Sequence, residues 1–173
     1  TFQVEFVFPR TPMRIFHTGI HASSQLPPAL LYPALPIPQM PPRIPDFAPR
    51  SAQVSSNPQQ RRAVLAILQG TSRPVPYLLF GPPGTGKTTT LVEAAAQCVL
   101  SPELAQAGLH VLLCAPTNAA ADVLCERLAD VLGPARAEKM LRVLAYSRSE
   151  QEVPPRVLPF TVRDPEGNFA LPT

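Results

Sequence analysis

An α/β domain built on a parallel sheet and entered through a proline-rich linker is what this sequence predicts, on three observations. Short apolar runs, Tyr77–Phe80, Val111–Ala115 and Met140–Ala145, alternate with stretches whose apolar residues recur at helical spacing. A glycine-rich loop, Gly81-Pro82-Pro83-Gly84-Thr85-Gly86-Lys87-Thr88, joins the first run to the helix after it. Half of the 24 prolines fall in the first 58 residues, ahead of all three runs.

In chain order, Val4–Phe8 alternates as Val-Glu-Phe-Val-Phe and reads as a strand ended by Pro9. Residues 1–25 are therefore expected to close a preceding β-rich region and enter a linker. From Leu26 to Pro49 proline recurs every few residues, each one removing a backbone donor and pushing its predecessor to extended geometry. Residues 26–56 read as a polyproline-like linker, whose Leu35–Pro42 stretch also suits a proline-reading partner domain. Asn57-Pro58-Gln59-Gln60 is a helix start, with a capping Asn, Pro at the first helical position and Gln three after the cap. Val64, Ile67 and Leu68 continue that helix to Gly70. Tyr77–Phe80 is continuous in apolar character, as a strand buried on both faces would be. A helix from Lys87 places Leu91, Val92, Ala95 and Val99 on one side and meets its limit at Pro102. After Val111–Ala115, Asn118–Leu132 is a second such helix, stopped by Gly133-Pro134. Met140–Ala145 is the third run. Strand and helix alternating at these lengths give a parallel sheet with right-handed crossovers over residues 57–150. Residues 151–173, with Pro154-Pro155, Pro159, Pro165 and Gly167, read as loop or a small hairpin insertion.

The loop matches Gly-x-x-x-x-Gly-Lys-Thr in full and lies between a strand and a helix, where a phosphate-binding P-loop must lie. Gly81, Gly84 and Gly86 let successive N–H groups converge on phosphate oxygens, and the helix N-terminus adds a favourable dipole. Lys87 supplies the charge that bridges the outer phosphates, and the Thr88 hydroxyl is placed to ligate Mg²⁺. A bare glycine turn has no use for Lys-Thr just inside the helix.

Other classes are harder to sustain. The Asn-Lys-x-Asp motif by which GTPases read guanine is missing from the sequence. Fifteen basic against twelve acidic side chains leave +3, which permits a nucleic-acid partner without arguing for one. Cys98, Cys114 and Cys125 are odd in number, lack Cys-x-x-Cys spacing and fall in apolar stretches, as reduced core thiols do. His17 and His21 share a helical spacing but have no acidic or thiol neighbour to complete a metal set. No apolar run approaches the ~20 residues that span a bilayer, so no membrane partner is expected.

Three further segments line up with the loop. Gln60 lies upstream of it, Ala115-Pro116-Thr117-Asn118-Ala119-Ala120-Ala121-Asp122 follows the second run, and Arg142-Val143-Leu144-Ala145-Tyr146-Ser147-Arg148 spans the third. With the loop, Asn-Pro-x-Gln, Ala-Pro-Thr-Asn and Ala-x-Ser-Arg make the chain resemble the superfamily 1 RNA helicases of the up-frameshift type, in the Moloney-leukaemia-virus-ten/Armitage branch. The resemblance is strong from Asn57 to Arg148 and looser at both ends, where the entry segment, Phe6 to His17 with Arg10-Thr11-Pro12, resembles the strand and linker ahead of that motor. It implies a RecA-like P-loop NTPase domain that binds ATP and Mg²⁺. The implied nucleotide set is Gln60, Gly81, Pro82, Pro83, Gly84, Thr85, Gly86, Lys87, Thr88 and Thr89, with Gln60 on the adenine edge and Thr88 on the metal. Pro116, Thr117, Asn118, Ser147 and Arg148 would contact the backbone of single-stranded RNA. Full-length members are expected to unwind RNA 5′ to 3′ in RNA-mediated gene silencing, beside silencing or mRNA-decay proteins, in the cytoplasm and its ribonucleoprotein granules.

The chain departs from that pattern. Val111–Ala115 runs into Pro116-Thr117 and Met140–Ala145 into Tyr146-Ser147, so neither ends in the Asp-Glu that holds Mg²⁺ and polarises water. Asp122 and Asp130 lie on a helix, and Asp164 follows no apolar run. The second RecA-like domain and its arginine, worth roughly 10³–10⁵ in rate, are not in this sequence either. The expectation is a truncated motor domain without catalytic residues of its own, binding ATP and, weakly, RNA. The alternative is a non-catalytic interaction module acting through the proline-rich segment.

Overall fold

The computed structural model describes residues 10–32, 46–73, 75–102, 110–145, 148–167 and 169–170. The strand expected at Val4–Phe8 and most of the proline-dense stretch lie outside these residues. The chain divides into two units, residues 1–40 with 72–77, and residues 41–71 with 78–173.

In the first unit, α1 (Arg10–Ser23) is a helix where the entry to a linker was expected. Its sequence carries no proline beyond Pro12, which falls in the first turn where a missing donor costs nothing. Met13, Phe16 and Ile20 share one side and stand exposed. A single turn, α2 (Pro28–Leu31), forms inside the proline-rich stretch for the same reason, Pro28 taking the first helical position. The bar that proline sets on helices thus acts from the second turn onward.

The second unit holds the cores. Ser51 caps α3 (Ala52–Ser56) by accepting from the Val54 N–H. Asn57 caps α4 (Pro58–Gln69) as its sequence predicts, its Oδ1 accepting from the N–H groups of Gln59 and Gln60 at 3.0 and 3.2 Å. Gly70 ends α4 in the left-handed region at φ 63°, open to glycine at no steric cost. Val54, Val64 and Leu68 close over Ala94 of α5 (Lys87–Leu100), joined by Phe47 and Cys98. On the opposite side of α5, Val92, Ala95 and Ala96 meet Leu124, Leu128 and Leu132 of α6 (Asn118–Leu132). A one-turn α7 (Pro134–Ala137) follows Gly133. A third cluster joins Cys125 of α6 to Leu144, Val153, Val157 and Phe169. Two 3₁₀ turns, Glu150–Glu152 and Leu158–Phe160, precede an isolated antiparallel bridge between Arg163 and Phe169.

The three apolar runs depart from expectation. Among the described residues none is assigned to a strand, and Leu78, Phe80 and Leu112 are 85%, 96% and 85% exposed. Burial nevertheless alternates along the second from Leu112 and along the third, while in the first only Leu79 is covered. Leu113 and Ala115 are covered while Leu112 and Cys114 are not, and Met140, Arg142 and Leu144 are covered while Leu141, Val143 and Ala145 are not. That period of two is extended backbone with one face on the helices. Two-sided burial needs a second layer of helices over the other face, and the described residues do not supply it.

Candidate functional site

Two glycines in the left-handed region set the shape of the loop after Phe80: Gly84 at φ 79° and Gly86 at φ 84°. A Cβ on Gly81 would lie 2.8 Å from the Thr85 hydroxyl, so the turn closes only around hydrogen. Thr85 donates across the turn to the Pro82 carbonyl at 2.8 Å. Lys87, first residue of α5, reaches back over the loop, and its ammonium donates to the carbonyls of Gly81 and Pro82, both at 2.7 Å. Thr88 is exposed at the helix mouth and Thr89 half-buried. Thr90, buried, returns its hydroxyl to the Gly86 carbonyl.

A collar of side-chain amides closes the other side of the loop. Gln60 is 7% exposed, and its Nε2 donates to the Thr85 carbonyl at 3.0 Å, so the side chain serves the loop. Its Oε1 is a buried acceptor with no hydrogen-bond partner. Such an atom is costly unless a donor arrives, and an adenine amino group is such a donor. A Cβ on Gly86 would meet the Nε2 atoms of Gln60 and Gln53 at 2.4 and 2.5 Å. Gln53, on α3, therefore belongs to the same wall; lying on a different helix from Gln60, it carries no spacing signal in the sequence.

The collar is held by Glu93, which is wholly buried on α5. Its two oxygens accept from the backbone N–H groups of Arg50 and Ser51 at 2.9 and 2.8 Å, just ahead of α3. Gln97 donates to the same carboxylate and to the Ala48 carbonyl, both at 2.8 Å. Asp46 and Arg61 form a further strap, with the guanidinium on both carboxylate oxygens and 5.8 Å above the Phe47 ring. The acidic residue inside an otherwise apolar face of α5 was the one sequence sign of this anchor.

At the second segment, Thr117 rather than Asn118 caps α6, its hydroxyl accepting from the Ala120 N–H. Pro116, Thr117 and Asn118 are exposed at that helix mouth. Ser147 lies outside the described residues. Arg148 is turned inward, its side chain 6% exposed, and donates to both oxygens of Asp122 at 3.1 and 2.6 Å. Arg142 reaches the same carboxylate at 3.0 Å. Burial favours the neutral acid at Asp122, but the hydrogen bonds from Arg148 and Arg142 outweigh it and hold the carboxyl below its usual range. Among the described residues no His, Cys, Asp and Glu grouping could hold a metal by itself, and no helix is long and apolar enough to cross a membrane.

The thiols separate by environment. All three are free, but Cys114 is exposed on the uncovered face, against the expectation of three core thiols. Burial raises Cys98, and pushes Cys125 up to about 11 from 9.0. The thiolate is the reactive form, so near neutral pH the buried Cys125 is expected to alkylate well behind the exposed Cys114. Mass spectrometry of a maleimide time course reads that order.

A family model described as an AAA domain matches residues 55–166, about two thirds of the chain. The chain belongs to that family. Within it, this AAA domain falls in the up-frameshift-type helicase branch that includes the mov-10 and Armitage proteins. It is 40% identical over 154 residues to a putative helicase, mov-10-B.2, of Danio rerio, covering 88% of this chain and 15% of that protein. To the RNA helicase Mov10l1 of Homo sapiens it is 48% identical over 106 residues, 60% of this chain and 8% of that protein. To the probable RNA helicase armi of Drosophila melanogaster it is 36% identical over 107 residues, 61% and 9% of the two chains. The chain thus spans about 15% of the length of the first of these relatives. No solved structure matches it. The P-loop, Gln60, the Pro116–Asn118 corner and Arg148 all fall inside the matched AAA domain.

Proposed function

We propose that this chain is the ATP-binding part of an ATP-dependent 5′ to 3′ RNA helicase that serves RNA-mediated gene silencing. The observation that carries the reading is the orphaned Gln60 Oε1, buried beside a loop whose backbone and lysine are shaped for phosphate. Gln60 would take the adenine edge, residues 81–87 the phosphates, and Thr88 the Mg²⁺ that accompanies them. When bound, Mg²⁺ supplies charge neutralisation between the outer phosphates. This chain's own groups would bind and orient the nucleotide.

The exposed corner of Pro116, Thr117 and Asn118 at the N-terminus of α6 supports a backbone contact with single-stranded RNA. Ser147 and Arg148 belong to the same proposed track by resemblance, and Arg148 by its tie to Asp122 on α6. The alternating burial of Leu112–Ala115 and Met140–Ala145 supports their reading as strands of a RecA-like parallel sheet. Cytoplasmic placement and partnership with silencing or mRNA-decay proteins follow the resemblance to the same branch.

Competition between ATP·Mg²⁺ and GTP·Mg²⁺ for the loop tests the adenine reading. ATP is expected to win by tenfold or more, since a site built to receive a donor leaves that acceptor unpaired on guanine, at about 1–3 kcal/mol. Equal affinities, or a Gln60→Ala variant that discriminates as well as the parent, would remove Gln60 from the adenine site.

A further inference from the structure

Asp122 is an acid 2% exposed that receives two guanidinium groups, from Arg142 and Arg148, whose side chains are 13% and 6% exposed. Glu152 adds its charge beside Arg148, so two acids face the two cations. Asp122 and the two arginines come from three segments: α6, the third apolar run, and the stretch leading to Glu150. Each guanidinium also carries a second task. Arg142 donates to the Val143 carbonyl and reaches the Asn118 carbonyl at 3.4 Å and Asn118 Oδ1 at 3.5 Å. Arg148 Nη2 donates to the Glu152 carbonyl at 2.9 Å. So the cluster ends, on one side, on Asn118 at the proposed RNA corner.

We infer that Asp122 is a positioning residue for that corner, and that Arg142 and Arg148 act as its struts and not as ligands of RNA phosphate. The inference rests on the RNA-track reading and changes how it works. Arg148 commits three of its five N–H donors, to both oxygens of buried Asp122 and to the Glu152 carbonyl; turning that fork to a phosphate would break its two charge-assisted bonds to Asp122 and leave Arg142 alone on the carboxylate, which is unfavourable. What the brace does instead is hold Asn118 through Arg142 at the α6 mouth, where the N–H groups and helix polarity favour an anion. Thr117 and Asn118, neutral donors, then make the contact.

The salt dependence of RNA binding separates struts from ligands, because its slope counts cationic groups that displace counterions and does not count neutral donors. The measurement is the affinity of the full chain for a single-stranded oligouridylate over a range of KCl, for the parent and for Arg148→Ala, Arg148→Lys and Asp122→Asn. If Arg148 is a strut, Arg148→Ala weakens binding roughly tenfold at every salt concentration with the slope unchanged. Arg148→Lys then fails like the alanine, because an ammonium cannot span both carboxylate oxygens. Asp122→Asn also weakens binding, while all three variants keep the parent affinity for ATP·Mg²⁺, which a general loss of fold would not spare.

A slope reduced by about 0.7 in Arg148→Ala and restored by Arg148→Lys makes Arg148 a phosphate ligand and overturns the assignment. So does tighter, more salt-sensitive binding by Asp122→Asn, the result if the carboxylate only withholds the arginines from RNA. Loss of RNA and ATP affinity in equal proportion reduces the brace to a folding element and overturns it as well. A parent chain that binds no RNA at any salt concentration overturns the track itself, and the brace's role with it.

Discussion

Lys87→Ala is expected to weaken ATP·Mg²⁺ binding by at least a hundredfold while the fold survives. The ammonium sits on the loop carbonyls of Gly81 and Pro82, both 2.7 Å away, so it is already positioned over the cradle at the mouth of α5. Charge-assisted hydrogen bonds contribute roughly 1.5–3 kcal/mol each, and a triphosphate offers this group at least two. Together they amount to roughly 3–6 kcal/mol, or two to four powers of ten in affinity. Those bonds to carbonyls are local and partly exposed, so the variant should melt near the parent. Calorimetric titration with ATP and Mg²⁺, paired with a thermal melt, reads both. Affinity unchanged in Lys87→Ala would refute the nucleotide site, and a collapsed melt would show the lysine to be holding the loop together.

Glu93→Ala is expected to cost about 3–5 kcal/mol of folding stability, a large share of the roughly 5–15 kcal/mol typical of a domain. Removing the carboxylate strands the N–H groups of Arg50 and Ser51 and one amide donor of Gln97, all in or next to a closed core. The consequence should reach the nucleotide. Those two backbone bonds hold the start of α3, and α3 carries Gln53 to Gly86. Glu93→Gln keeps the shape and one acceptor oxygen, and should lose less than half as much. A melt of the three proteins, with ATP affinity measured below the lowest transition, checks the order parent, Gln, Ala. An alanine variant as stable as the parent would show that water replaces the carboxylate and that the anchor is dispensable.

How much of this was legible before any coordinates depends on the range of the interaction. The starts and stops of α4, α5 and α6 were written in adjacent residues: Asn57 before Pro58, Gly70 in the left-handed region, Lys87 behind Gly86, Gly133 before Pro134. The phosphate loop was legible for the same reason, since its glycines and its lysine lie within one turn of chain. The helix at Arg10–Ser23 was missed because residues 1–25 were read from the alternation of Val4–Phe8 and from the prolines that begin at Pro27, and the helical spacing of Met13, Phe16 and Ile20 between them was not weighed. The double-sided burial of the apolar runs was inferred from their composition alone, yet burial depends on what lies opposite, which composition does not state. Phe80 and Leu79 are neighbours of equal apolarity, but only Leu79 is covered.

By itself, then, the sequence determined the family, the glycine-rich loop and the helices flanking it, because caps, periodicity and left-handed glycines act through contacts a few residues long. Only the tertiary structure decided which polar groups serve that loop and the corner beside it. Glu93 finds Arg50 across 43 residues, and Arg148 finds Asp122 across 26, turning an arginine that reads as a surface contact into a buried strut. A buried charge must be paired wherever the fold brings a partner, and that meeting follows from how the helices stack, which no local pattern encodes.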